Sequence, residues 1–438
     1  MTSTFSQSLF VQSSEGRWPR ICELHSATGE TRVAMLCYHT SPLAALGKSR
    51  DAGGMNVYVR ELARHLARRG ISVDIFTRWT DPTLPQILPL ERHARLIHIP
   101  AGPIAPLPKD ELFAHVPQFI VGVDCFAVSE RIDYQIIHSH YWLSGVAGLS
   151  LARRWGAPHV AMFHTLARLK QHARPEGQES PLRVEYERHI IAEADGIVVA
   201  TDDELRQITA LYGTPAGTVH IIPGGVDLDA FTPQDRSAAR AMVARALDLD
   251  DHPIILFVGR LDPLKGPDLL VRALAQMQSP ATLVLIGGDE NDPERARLIT
   301  LAHDSGVSAR VRMVNAIPHE NLPMYYSAAD VLAVASFYES FGLVAVEALA
   351  SGTPVIAANV GGLPAIVKDG VNGALVCRRT PAAFAKRLDA LLSDAPTRDR
   401  LRAAARPSIR HLSWPFIAAQ VSAIYAKIDA KQPALAAG

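Results

Sequence analysis

The stretch Ser336-Phe-Tyr-Glu-Ser-Phe-Gly-Leu-Val-Ala-Val-Glu-Ala-Leu-Ala-Ser-Gly-Thr-Pro-Val-Ile-Ala-Ala-Asn-Val-Gly-Gly-Leu-Pro-Ala-Ile-Val-Lys-Asp-Gly-Val-Asn-Gly373 decides how the chain is read. The apolar run 330–336 leading into it reads as a buried strand. Glu339 and Ser340 break the run ahead of Gly342, and 343–350 reads as a helix closed by Gly352 and Pro354. A second buried strand, 354–358, leads to a Gly361-Gly362 turn. A strand–loop–helix–strand unit sets its loop at a carboxyl strand end. The helix start there offers unpaired backbone N–H groups and the positive end of the dipole, which suits a phosphate. Glu339 precedes the first turn and Glu347 lies inside the helix, so the pair could grip hydroxyls of a ligand whose phosphates rest on the helix start. Two glutamates eight residues apart also occur on ordinary surface helices. The flanking Ser-Phe-Gly and Gly-Thr-Pro-Val-Ile make this pair specific.

Working outward, the same alternation fills the chain. Strands are expected at 33–38, 71–76, 132–137, 158–163, 196–200 and 219–222, with a helix at 55–69 that begins at Gly53-Gly54 and stops at Gly70. Thr201 and Glu204 form a capping box for another helix. The turn-rich segment 223–233 is the expected domain crossing, after which 254–258, 281–286 and 311–314 restart the scheme. The last helix is expected at 414–428. This predicts an α/β protein of two doubly wound domains facing each other across a cleft. Residues 31–225 and 226–410 form the domains, with 1–30 a poorly ordered leader and 411–438 a terminal helix and tail. His138 and His140-Tyr141 at one strand end, and His164-Thr165 at another, are expected to face the crevice. Gly47-Lys48-Ser49 is not a P-loop, because Pro42 stands where its first glycine is required. No GxGxxG follows the first strand, which disfavours a dinucleotide oxidoreductase.

The 438 residues carry 44 basic and 44 acidic side chains, a net charge of +0 that draws the protein as a whole to neither nucleic acid nor a bilayer. Cys22, Cys37, Cys125 and Cys377 are scattered, which argues against a zinc site or disulfide framework and suits a reducing, cytoplasmic location. No uninterrupted apolar run reaches the roughly 18 residues of a membrane span. Peripheral membrane contact and a homodimer stay open. Asp227-Leu-Asp229 and Asp248-Leu-Asp250 look like metal-binding DxD motifs but sit in a turn and at a helix end, so no metal is expected. Arg260 and Lys265 follow a buried strand in a loop at its carboxyl end, where taken alone they read as two solvated surface cations.

Glu339-(seven residues)-Glu347, Ala350-Ser-Gly-Thr-Pro-Val and Gly361-Gly362 together resemble the signature of retaining glycosyltransferases of family 4, and the resemblance runs over roughly 33–425. It implies the GT-B fold, two Rossmann-like domains, and a nucleotide-sugar donor, UDP-linked, used without a cofactor. It also implies that Arg260 and Lys265 bind the diphosphate, Glu347 the ribose and Glu339 the transferred sugar. His164 would lie near the reacting centre. Gly53, Gly54 and the backbone of Phe341, Gly342, Leu343 and Val344 would receive donor oxygens.

The first half is similar to one branch of the family, the glycosyltransferases acting on D-inositol 3-phosphate in mycothiol synthesis. The shared segments are Gly53-Gly-Met-Asn-Val-Tyr-Val-Arg-Glu-Leu-Ala63, Ala101-Gly-Pro103 with Lys109, His138-Ser-His-Tyr-Trp-Leu-Ser-Gly145, His164-Thr-Leu-Ala167 and Arg183-Val184. The likeness implies that Asn56, Lys109, Tyr141, Thr165 and Arg183 hold the acceptor's phosphate. Three alternatives stay open. One is a sucrose-phosphate-synthase-like enzyme with another phosphorylated acceptor. A second is a transferase with a lipid or polysaccharide acceptor, for which the arginines of the 60–69 helix would serve as a membrane face. The third is a non-enzymatic nucleotide-sugar sensor or scaffold.

Overall fold

The computed structural model describes residues 31–44, 53–173, 179–213 and 219–430. The leader 1–30, Gly47-Lys48-Ser49 and the last eight residues lie outside them. The first half holds strands β1 (Arg32–Leu36), β2 (Ser72–Arg78), β3 (Ile87–Glu91), β4 (Ala94–Ile99), β5 (Ile136–His140), β6 (His159–Met162), β7 (Gly196–Val199) and β8 (Val219–Ile221). They form one sheet in the order β3-β4-β2-β1-β5-β6-β7-β8, parallel except for β3. The second half holds β9 (Ile254–Val258), β10 (Thr282–Ile286), β11 (Val311–Val314), β12 (Val331–Val334), β13 (Val355–Ala358) and β14 (Gly373–Val376). These form an all-parallel sheet in the order β11-β10-β9-β12-β13-β14.

Both sheets are covered on both faces, which is why their strands read as continuous apolar runs. In β1, Val33 and Met35 join one core while Ala34 and Leu36 join the other. In β9, Ile254 and Leu256 face one side and Ile255 and Phe257 the opposite side. The strand order reverses between β1 and β5 in the first sheet and between β9 and β12 in the second. Loops leaving these pairs diverge at the carboxyl edge and open a crevice there. The two crevices face each other.

The chain crosses between halves at two adjacent places. Val226 N–H donates to the Leu412 carbonyl at 2.8 Å, and Val226 bridges Ser413 as a short parallel pair. The helix Trp414–Asp429 then returns to the first half and packs on the helix Gly54–Ala67. Trp414 is 1% exposed, with its ring 5.5 Å from that of Tyr58, and Tyr425 O–H meets His138 Nδ1 at 2.7 Å.

One local expectation is corrected, and two features were not anticipated. The strand expected at 132–137 is β5, Ile136–His140. Arg131 ends the preceding helix in a left-handed conformation (φ 54°) and Ile132 N–H closes it on the Ala127 carbonyl, so 131–132 belong to a helix stop. The shift moves His138 and His140 inside the sheet, both 0% exposed, and away from the crevice. The β3–β4 hairpin was not anticipated; Pro89 sits within β3, which only an edge strand tolerates. Lastly, Leu112–Glu130 is long and apolar enough, by length and composition, to cross a membrane. Here Phe119, Val123 and Phe126 bury one side against the first sheet, and Asp124 takes Trp155 and Arg154. The arginines of Gly54–Ala67 and its end are paired too: Arg60 and Arg64 with Glu61, Arg68 with Glu91.

Candidate functional site

One cavity of about 500 Å³ fills the cleft, lined from both halves. Its floor on the second half is the decisive stretch. Helix Leu343–Ala350 starts at Gly342 (φ 105°), whose carbonyl takes Ala345 and Val346 N–H. Helix geometry leaves Leu343 and Val344 N–H without intrahelical partners. The Gly361-Gly362 turn cradles the preceding loop. Gly362 N–H donates to the Glu339 carbonyl at 2.8 Å, and a Cβ at Gly361 (φ 52°) would lie 2.0 Å from that same oxygen. From the first half, Gly54 comes so close that a Cβ would touch Leu343 Cδ1 at 3.1 Å.

Beside the helix start, Lys265 Nζ meets Glu339 Oε2 at 2.6 Å, and Ser336 O–H donates to the same oxygen at 3.2 Å. Asp262 Oδ1 accepts Leu264 N–H at 2.9 Å and so caps the short turn that carries Lys265. Phe337 N–H donates to the Leu264 carbonyl at 2.8 Å, tying the loops after β9 and β12 together. Arg260 lines the same wall, 3.6 Å from Asp262. Further along, Glu347 accepts Tyr326 O–H at 2.9 Å and pairs with His319 Nε2 at 2.7 Å. Burial opposes charging His319, but the Glu347 carboxylate outweighs it and raises its pKa. His319 comes from a loop after β11, and nothing in its spacing announces it.

At the opposite end the wall turns cationic. Tyr141, left-handed at φ 76°, lies between Lys109 Nζ, 5.1 Å from its ring centroid, and the Arg183 guanidinium at 4.9 Å. Arg183 Nη2 donates to the Thr165 carbonyl at 2.7 Å, and Nε donates to buried Glu187 at 2.7 Å. Lys170 and His39 complete this end.

His164 (φ 58°) sits between the two ends, and its carbonyl accepts Ser340 O–H from the second half. Its Nε2 lies 2.9 Å from His140 Nδ1. His140 Nε2 is buried without a partner among the described residues. A bare lone pair is the cheaper orphan there than an N–H, so His140 Nδ1–H donates to His164 Nε2. That leaves the His164 proton on Nδ1. Burial holds His164 down to about 3, so it meets a ligand neutral.

Burial also lifts the cavity-lining Glu204 carboxyl to about 7. The folded state keeps this proton over a range where the unfolded chain, with an ordinary carboxylate, releases it. Stability contributed by the protonated form is therefore present at low pH and lost as pH rises from about 4.5 to 7, by up to about 3 kcal/mol. Denaturant titrations should show that decline in the native protein, and Glu204→Gln should flatten it.

Of the residues singled out in the sequence, His164, Arg260, Lys265, Glu339, Gly53, Gly54, Phe341, Gly342, Leu343, Val344, Glu347, Lys109, Tyr141, Thr165 and Arg183 all line this cavity. Asn56 does not. It is 0% exposed, its amide N–H₂ donates to Thr40 Oγ1 and the Ser41 carbonyl, and its oxygen takes Gly53 N–H. Asn56 therefore braces the loop, with both of its amide N–H donors spent on Thr40 and Ser41. His319, Lys170, His39 and Glu204 were missed because they reach the cavity only through tertiary packing. Two of the DxD aspartates are engaged locally: Asp227 accepts Asp229 and Ala230 N–H, and Asp250 pairs with His252.

Residues 52–230 match the Glycosyltransferase Family 4 profile and residues 243–407 that of Glycosyl transferases group 1. The chain is 45% identical over 411 residues to a D-inositol 3-phosphate glycosyltransferase of Xylanimonas cellulosilytica, covering 92% of this chain and 98% of that protein. It is 44% identical over 398 residues to one from Mycobacterium tuberculosis, covering 89% and 82%. The solved sucrose-phosphate synthase of Thermosynechococcus elongatus superposes with a TM-score of 0.85 at 36% identity, covering 92% of this chain and all (100%) of that one.

Proposed function

The chain belongs to glycosyltransferase family 4, the retaining enzymes of GT-B fold, and from that premise we propose that it moves a sugar from a UDP-linked donor to a hydroxyl of inositol phosphate. The observation that carries this reading is the pairing of two charged ends in one cavity. Lys265, Arg260 and the Leu343 helix start suit a diphosphate, while Lys109 and Arg183 around Tyr141 suit a second, separate phosphate.

In this account the bond from the sugar's anomeric carbon to the diphosphate breaks as the bond to the acceptor oxygen forms, and the acceptor hydroxyl's proton passes to the departing diphosphate oxygen. Lys265, Arg260 and backbone N–H groups take the charge growing on the leaving diphosphate. As Lys265 turns to the diphosphate, Glu339 is released to accept hydroxyls of the transferred sugar. Neutral His164 donates from Nδ1 to an oxygen of that sugar without adding charge. Glu347, fixed by His319 and Tyr326, keeps lone pairs for the ribose hydroxyls.

A second reading, transfer to a sugar phosphate such as fructose 6-phosphate, is favoured by the likeness to sucrose-phosphate synthase. One assay separates the two. UDP-N-acetylglucosamine, UDP-glucose and GDP-mannose are each offered with D-inositol 3-phosphate, fructose 6-phosphate and glucose 6-phosphate in EDTA, and nucleotide diphosphate release is followed. Stimulation by inositol phosphate with a UDP-sugar is expected. Stimulation by fructose 6-phosphate alone would replace the first reading with the second.

A further inference from the structure

Lys170 and Arg183, which line the cationic end of the cavity, share a carboxylate that the proposed acceptor chemistry does not use. Glu179 Oε2 accepts Arg183 Nη1–H at 2.8 Å, and its Oε1 accepts from Lys170 Nζ. A single carboxylate thus spreads its two oxygens over two cations, much as two oxygens of a phosphate would. Arg183 is in turn fixed on its other edges by Glu187 and Thr165, so Nη1 is the corner it offers outward.

The two carboxylates on Arg183 differ in kind. Glu187 is 0% exposed in its side chain, accepts Ala167 N–H at 2.9 and 3.1 Å, and takes the Tyr212 hydroxyl. It belongs to the frame. Glu179 keeps 16% of its side chain exposed and stands two residues ahead of the helix Pro181–Glu193, where rotation about its own side-chain bonds would release both cations. Burial works against its charge, yet Arg183 and Lys170 hold its carboxyl below the usual range.

We propose that Glu179 is a built-in competitor for the acceptor's phosphate: the phosphate binds by exchanging with the Glu179 carboxylate on Lys170 and Arg183, and Lys170 is thereby a third cation of the acceptor site. The exchange sets a charge requirement. With Glu179 seated, one carboxylate already answers Lys170 and Arg183. Once it leaves, both meet the incoming anion together with Lys109. A phosphate dianion with three acceptor oxygens gains more from the exchange than a monoanion does, and a neutral polyol cannot make it. Glu179 therefore lowers affinity for every anion while sharpening preference for the dianion.

This inference rests on the phosphorylated-acceptor reading, and its test separates the two. Native protein, Glu179→Gln, Glu179→Ala and Lys170→Ala are titrated calorimetrically with D-inositol 3-phosphate and, separately, with inorganic phosphate. Transfer kinetics are measured alongside. Both Glu179 variants should bind each phosphate about three- to tenfold more tightly, the effect of removing a competing ion pair at the rim of the site. Their KM for the phosphorylated acceptor should fall, with kcat and the donor KM held within about twofold. Lys170→Ala should weaken phosphate binding. Unchanged or weaker binding in both Glu179 variants, while the native protein binds inositol phosphate, overturns the exchange and makes Glu179 a brace for Arg183. Failure of every form to bind either phosphate overturns the exchange and the acceptor reading together.

Discussion

Lys265→Ala is expected to lower kcat by about 10²- to 10³-fold with the fold intact, the cost of removing one preorganised donor aimed at growing negative charge. Glu339 adds a second effect. Its Oε2 is 2.6 Å from Lys265 Nζ, so deleting the lysine also leaves a carboxylate facing the diphosphate without its counter-charge. Glu339→Gln added to Lys265→Ala should therefore restore donor binding more than it restores turnover. Because the lysine side chain is 28% exposed, the thermal midpoint should move little. Single-turnover kinetics and melting curves check both parts. Normal turnover in Lys265→Ala would mean that the diphosphate lies elsewhere.

Arg183→Ala should have the other large effect, a fall of about 10³-fold in kcat/KM for a phosphorylated acceptor. It should also destabilise the protein by about 3 kcal/mol, because Glu187, 0% exposed in its side chain, loses its cation. Those consequences can be separated. Arg183→Ala with Glu187→Gln removes the stranded charge, so most of the stability should return while acceptor use should not. Denaturant unfolding and steady-state kinetics on the two variants give the answer. Recovery of acceptor use in the double variant would make Arg183 structural.

Particular residues show what could be read from sequence and what could not. The helix at 343–350 was legible to the residue, because Gly342 and Gly352 bracket an apolar run that only one element fits. The switch-point loops were legible for a related reason: Arg260–Lys265 and Glu339–Gly342 each follow a buried strand within a few residues, and Gly53-Gly54 opens the first helix. The β5 boundary was not. Ile132 looks like a strand residue, but its N–H is spent on closing the helix before it. The same shift turned His138 and His140 from crevice residues into buried supports, one for Tyr425 and the other for His164. Asn56 looked like a ligand donor, yet local loop contacts consume its amide. His319 meets Glu347 from 28 residues away, and Lys170 meets Glu179 across nine residues that no single helix spans. No spacing rule could have brought those pairs together.

The measurement that bears most directly on the account compares D-inositol 3-phosphate with unphosphorylated inositol as acceptors for the native enzyme at saturating UDP-sugar. Two cations and the Tyr141–Thr165 wall dedicated to a phosphate predict a kcat/KM at least about 10³-fold higher for the phosphorylated acceptor. Equal values for the two would contradict the assignment of the cationic end of the cavity, and with it the proposed acceptor.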